Sequence, residues 1–194
     1  MKVFGTGMQR TGTTSLAKAL NHLGIKTRDH PRELHGNLDH PLLQEYEGFT
    51  DNPIPLIYKE LDARFPGSRF IHTERDEAAW LKSVEWLHTT GAVKFHWHAI
   101  PGLAEINQAL YGRIGFDADV FRDTYRRHNR EVRAHFADRP DDLLILDITQ
   151  GEGFEKICPF LGRPAPAESF PHWNKQEKVW KVKFRKVLKQ LRRG

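Results

Sequence analysis

The run Gly7-Met8-Gln9-Arg10-Thr11-Gly12-Thr13-Thr14-Ser15 concentrates the chemistry of this chain. Four residues separate Gly7 from Gly12, the spacing of a backbone loop whose successive N–H groups surround an anion where a helix begins. Loops that clamp a nucleoside triphosphate follow the second glycine with Lys, which reaches the β- and γ-phosphates. Thr13 stands there instead, and Arg10 supplies the loop's fixed positive charge. The dinucleotide fingerprint also fails, because Gly5-x-Gly7 is followed by Arg10 where a third glycine belongs. The chemistry indicated is anion binding without a lysine-clamped triphosphate. Asp147, at the end of an apolar run, has the place of a magnesium-binding Asp; without the Lys it reads as structural or adenine-proximal. His96-Trp97-His98 has no Cys or clear carboxylate to complete a ligand set, so no metal is expected.

The elements that must position these residues follow from periodicity. Residues 2–6 read as a strand, Leu16, Ala19, Leu20 and Leu23 as the apolar face of a helix, and Gly24 as its stop. Residues 27–48 read as loop with a short helix over 40–46. A helix over 54–65, a strand over 69–73 and a helix from about 77 to 89 come next. Residues 90–117 are irregular and rich in aromatics, His and Gly. A long helix is predicted over 118–136, with Tyr125, His128 and Asn129 forming a polar stripe on it. The apolar run 142–147 reads as a central strand buried on both faces, followed by a helix around 152–161 in which Cys158 is a small buried hydrophobe. Strands alternating with helices predict a parallel sheet in an α/β domain.

Composition sets the outer limits. A chain of 194 residues with 39% hydrophobic and 28% charged residues is the size and make-up of one globular domain. It has no apolar stretch approaching a membrane span and reaches Gly5 too early for a signal-peptide core. A single cysteine, Cys158, permits no internal disulfide, so a cytoplasmic location is expected. The net charge of +5 is misleading: residues 175–194 hold nine Lys or Arg and one Glu, while the rest of the chain has 21 basic and 24 acidic residues. The body is therefore not a nucleic-acid surface. Residues 176–194 read as a basic amphipathic helix with Trp180, Phe184, Val187, Leu188 and Leu191 on one stripe, which packs on the domain or makes peripheral membrane contact.

Three stretches, in order, carry a family resemblance over residues 2–175. Arg10-Thr11-Gly12-Thr13-Thr14-Ser15-Leu16 resembles the 5′-phosphosulfate loop of sulfotransferases. Phe65 to Asp76, with Trp80 and Ser83, resembles their 3′-phosphate element, in which an Arg at a strand end and a Ser eight residues later grip the 3′-phosphate of 3′-phosphoadenosine 5′-phosphosulfate. Tyr111-Gly112, Phe116-Asp117, Tyr125-x-x-His128-Asn129, Leu143 to Gly151, Cys158 to Gly162 and Phe170 to Asn174 are similar to a compact branch of that family.

The resemblance implies a three-layer α/β/α fold of the P-loop type around a central parallel sheet, in one domain over 1–175 with 86–117 as lid and acceptor region. It implies sulfuryl transfer from 3′-phosphoadenosine 5′-phosphosulfate, without metal, to a small-molecule, sugar or lipid acceptor. Arg10, Thr11, Gly12, Thr13, Thr14 and Ser15 would hold the 5′-phosphosulfate, with Arg10 also serving the transfer, and Arg75 with Ser83 the 3′-phosphate. The family places a His or carboxylate base after the second strand, which here falls on Thr50-Asp51-Asn52-Pro53 and selects Asp51. A plain helix cap at Asp51 is the competing account, and His30, His72 and Glu60 are weaker candidates for the base. Two other functions remain open at this stage: a P-loop kinase-like phosphotransferase and a non-catalytic nucleotide-binding protein.

Overall fold

Successive side chains of a strand point to opposite faces, and in this chain the two faces gather different residues. The computed structural model describes residues 1–94, 96 and 100–171. Strands β1 (Val3–Gly5), β2 (Thr27–Asp29), β3 (Gly48–Thr50), β4 (Arg69–Thr73) and β5 (Leu143–Leu146) form an all-parallel sheet in the order β2-β3-β1-β4-β5. Phe4 lies in register with Phe49 on one side and Phe70 on the other, and their rings meet at 5.8 and 5.4 Å. That aromatic row packs with Ile54, Tyr58 and Leu61 of helix α3 (Ile54–Arg64) and Val132 of α7 (Ala118–His135). On the opposite face Val3, Ile71 and Leu146 pack with Leu16 and Leu20 of α1 (Thr13–His22) and Ile157 and Leu161 of α8 (Phe154–Leu161). The result is helix, sheet, helix: three layers.

A third apolar cluster roofs the carboxyl ends of the strands. Met8 from the loop after β1 packs with Trp80 and Val84 of α4 (Glu77–Trp86), Leu110 and Tyr111 of α6 (Leu103–Tyr111), and Phe121 and Tyr125 of α7. Between α4 and α6 the chain makes a π-helical turn, Leu87–Gly91, and the short α5 (Ala92–Lys94). The remaining helix, α2 (Leu42–Glu45), precedes β3. Within 86–117, therefore, α6 contributes Ile106, Leu110 and Tyr111 to the buried interior. The C-terminal helix expected at 176–194, the stripe on it, and Trp97 and His98 lie outside the described residues. Among the described residues, no helix is long and apolar enough to cross a membrane.

Two expectations are corrected. Residues 27–48 are not loop throughout, because β2 and β3 bound that stretch; each is three residues long, too short to display alternation, and β2 is the polar Thr-Arg-Asp. The apolar run at 142–147 is not a central strand buried on both faces. Among the described residues β5 pairs with β4 alone at the sheet edge, and of its four residues only Leu146 is buried. Its apolar character has another source: Leu143 packs against the α3/α7 side and Leu144 against the α1/α8 side, so helices partly cover both faces of an edge strand.

Candidate active site

In a parallel sheet, ligands gather where the strand order reverses. Here that point is the carboxyl end of β1, between β3 and β4, and the loop Gly7–Gly12 leaves the sheet there. Sterics dictate its glycines. A Cβ on Gly7 would sit 1.9 Å from Thr73 Oγ1 and 2.5 Å from the Thr73 carbonyl, and Gly12 has φ +107°. Side chains then lock the loop from below. The Trp80 indole N–H donates to the Gln9 carbonyl at 2.9 Å, and the Thr11 hydroxyl, 2.6 Å from Thr73 Oγ1, donates to the Met8 carbonyl at 2.6 Å. The Thr11 N–H also turns back to Met8, at 3.3 Å, so the polar groups of Thr11 shape the loop.

Helix starts in this protein differ in one useful respect. Asp76 caps α4 by accepting from the Ala79 N–H at 2.8 Å, and Asp117 caps α7 by accepting from Asp119 and Val120. Among the described residues no side chain caps α1, whose N-cap is Gly12, nor α2, α3, α6 or α8. The N–H groups of Thr13 and Thr14 thus lack an intrahelical acceptor and stand at the positive end of the helix dipole, suited to an anion.

Three of the polar side chains expected at two separate ends of a ligand meet in the structure. Arg10, held at φ +73°, donates from Nε to Ser83 Oγ at 2.9 Å, and its guanidinium lies 5.9 Å from the Trp86 ring centre. Arg75 donates from Nη1 to the Arg10 carbonyl at 3.2 Å. Tyr125 fixes Arg75 from behind: its hydroxyl accepts from the Arg75 N–H at 2.9 Å and donates to the Arg75 carbonyl at 2.8 Å. Asp76 is spent on its helix cap, and among the described residues no carboxylate forms an ion pair with Arg10 or Arg75. Burial first, and the neighbouring Arg75 charge second, pull Arg10 below the usual arginine range, while Asp51 acts in the other direction. Two adjacent cations with no paired carboxylate among the described residues are suited to an anion.

Asp51 closes the other side of the loop. It follows β3 with φ +68° and is 3% exposed. Its Oδ2 accepts from the Thr13 hydroxyl at 2.5 Å and its Oδ1 from the Asn52 N–H at 2.7 Å, with His30 Nδ1 3.4 Å from Oδ1. It does not cap α3 through its side chain; that helix starts after Pro53 with no side-chain cap. The neighbouring Asp29, which accepts from the Thr50 hydroxyl at 2.9 Å, is raised above the usual carboxylate range, first by burial and then by the Asp51 charge. Asp29, His30 and Asp51 each bring one ligand atom within 4.8 Å of the others, so this is where the described residues could gather a cation. Of the weaker candidates for a base, Glu60 is exposed on α3. His72 is fully buried on the α7 side of the sheet, against Thr6 Oγ1 at 3.0 Å and Asn129 Oδ1 at 3.2 Å. Only His30 lies beside Asp51.

A polar chain that the sequence reading did not single out runs beneath Asp51. Asn52 Nδ2 donates to Gln9 Oε1 at 3.2 Å, and Gln9 Nε2 donates to the Tyr111 hydroxyl at 2.6 Å with His88 Nε2 at 3.5 Å. Burial lowers His88 to about 4, so its ring is neutral at pH 7. The other Asn52 amide atom, Oδ1, is buried with no hydrogen-bond partner among the described residues. Gln9 and Asn52 carried a signal, since each adjoins a singled-out residue, Arg10 or Asp51. Tyr111 and His88 meet them only through the fold.

Comparison with known proteins agrees with this fold. A family model described as a sulfotransferase domain matches residues 2–179. A protein of Aspergillus versicolor, "Ava biosynthesis cluster protein M", is 26% identical over 213 aligned residues, which cover 89% of this chain and 80% of the relative.

Proposed function

The chain belongs to the sulfotransferase family, and on that premise we propose that it moves a sulfuryl group from 3′-phosphoadenosine 5′-phosphosulfate to a hydroxyl or amine of a small-molecule, sugar or lipid acceptor. The observation that carries this reading is the convergence of Arg10, Arg75 and Ser83 beside the uncapped start of α1, with no carboxylate paired to either cation among the described residues. The Gly7–Gly12 loop packs so closely on Thr73 and Ile148 that its glycines leave little room for a Cβ, and its donors suit a 5′-phosphosulfate. Because the relative is named for a biosynthesis cluster, a biosynthetic small molecule is the acceptor class we place first.

The donor supplies an activated sulfur–oxygen bond; the chain's own groups do the rest. Arg10 and the N–H groups of Thr13 and Thr14 stabilise the charge that grows on the departing 5′-phosphate oxygen. Arg75 and Ser83 hold the 3′-phosphate. Asp51, beside Thr13 on the loop, takes the proton of the acceptor as it attacks. Thr13 in place of the lysine makes a kinase-like reading weaker, and transfer here would need no metal. A thermal-shift panel with adenosine 3′,5′-bisphosphate, ATP with magnesium, and NADP tests the assignment. Selective stabilisation by the bisphosphate is expected; a response only to ATP with magnesium would replace this reading with phosphoryl transfer, and no response would favour a vestigial site.

A further inference from the structure

A buried base must lose its proton before the next turnover, and Asp51 has no solvent contact of its own to speak of: its side chain is 4% exposed. Its two oxygens face different partners. Oδ2 is on the loop side, bonded to Thr13, while Oδ1 lies 3.4 Å from Nδ1 of His30, whose side chain is 53% exposed. The contact is built by the strand ends rather than by chance approach of two long side chains. The His30 N–H donates to the Thr50 carbonyl at 3.0 Å, tying the end of β2 to the residue before Asp51. Both residues then turn into left-handed backbone, φ +54° and +68°, which aims their side chains together.

We propose that His30 takes the proton accepted by Asp51 and passes it to solvent. This rests on the reading of Asp51 as the base. In the transfer the acceptor's O–H or N–H bond breaks as its bond to sulfur forms. The bond between sulfur and the bridging oxygen breaks with its electron pair left on the 5′-phosphate. The released proton goes to Asp51 Oδ1 and from there to His30 Nδ1; the opposite ring nitrogen gives up its own proton to water, and exchange of the exposed ring with solvent frees Nδ1 again before the next turnover. Imidazole is the side chain suited to such exchange near neutral pH. The surroundings favour the transit. Asp29 and Asp51 flank the ring, and Asp29 is raised by burial and by the Asp51 charge, so a proton held in this cluster relieves carboxylate repulsion. Arg10 from the loop and Tyr111 from α6 are the other titratable groups that feel Asp51. His30 thus acts through Asp51 and is a positioning and relay residue rather than the group that meets the acceptor.

The test uses the full chain as His30→Asn and Asp51→Asn, Asn being chosen because it tolerates left-handed backbone. Three quantities are measured: release of the labelled sulfuryl group from the donor, to water as sulfate or to phenol as its sulfate ester, affinity for adenosine 3′,5′-bisphosphate by calorimetry, and the ring-nitrogen NMR signals of His30. For His30→Asn we expect roughly a tenfold fall in release, restored by added imidazole, with bisphosphate affinity unchanged. For Asp51→Asn we expect a fall of about 100-fold that imidazole does not restore, and a changed His30 ring signal in the folded variant. A normal rate for His30→Asn beside a slow Asp51→Asn overturns the relay and leaves the base in place. A His30→Asn loss that imidazole does not restore also overturns it, as does a His30 ring signal indifferent to Asp51→Asn. A slow His30→Asn beside a normal Asp51→Asn overturns both readings and makes His30 the base.

Discussion

The two sides of the site are built in different ways. The side we propose for the donor, Gly7 to Ser15 with Arg75 and Ser83, comes from a continuous loop plus one strand end and one helix, and backbone sterics fix it: Gly7 has no room for a Cβ, and Trp80 and Thr11 hold the loop's carbonyls. The side we propose for the acceptor, Asp51, Asn52, Tyr111 and His88 linked through the loop's own Gln9, is an association of side chains from three further segments, joined by hydrogen bonds between amides, a hydroxyl and a ring. On that reading, a rigid backbone cradle holds a common donor while exchangeable side chains meet a particular acceptor. It also predicts unequal tolerance to substitution.

The largest effect should come from Gly7→Ala. The new methyl would meet the Thr73 carbonyl as well as its hydroxyl, and that carbonyl belongs to a strand paired on both sides. Neither neighbour is the far end of a flexible chain. We expect a loss of about 3 kcal/mol, the upper end of overpacking costs, read as a shift of the urea midpoint, together with loss of bisphosphate binding. A variant with normal stability and normal binding would mean that the loop yields, and the contrast between the two sides would fail.

Arg75→Ala comes next and sharpens the donor side itself. Tyr125 holds the Arg75 backbone from both directions, so removal of the side chain should leave the loop in place. A lost charge-assisted contact of about 1.5–3 kcal/mol corresponds to roughly 10- to 150-fold weaker binding of adenosine 3′,5′-bisphosphate. Adenosine 5′-phosphate should weaken far less, because it offers Arg75 no 3′-phosphate. Equal weakening of both, measured by calorimetry, would show that Arg75 acts on the loop through the Arg10 carbonyl rather than on the ligand.

The same contrast governs what could be read before the structure. The strand at 69–73 and the helix from Ile54 were legible because each is long enough to show its period, and the loop was legible because contiguous residues make it. β2 and β3 were not, since three residues carry no period, and the hydrophobicity of β5 reported covered faces rather than a central place. His72 is instructive. Phe70 packs on the α3/α7 side, and a period of two puts His72 on that same side, where it is fully buried against Asn129 of α7. His30 has no such periodic partner; its approach to Asp51 depends on β2 lying next to β3, which is a fact of topology.

Tyr111→Phe should have the smallest effect, and it tests the acceptor side where the hydrogen-bond chain ends. The ring itself is well held: Tyr111 stacks on Phe121 with centroids 3.7 Å apart and planes 10° from parallel, and Phe would keep that contact. What disappears is the hydroxyl that accepts from Gln9 Nε2. A buried donor left unpaired costs about 1–3 kcal/mol. Here the cost should fall at the low end, about 1 kcal/mol, because the His88 ring nitrogen already lies 3.5 Å from the same amide and the ring is neutral, so one nitrogen can accept. Bisphosphate affinity should stay within about twofold, since a 1 kcal/mol change confined to this network does not reach Arg75 or Ser83. Urea unfolding and calorimetry on the one variant give both numbers. A stability loss as large as that of Gly7→Ala, or a tenfold loss of bisphosphate affinity, would mean that Gln9 transmits its side-chain partners to the loop backbone, and that donor and acceptor sides form one rigid unit.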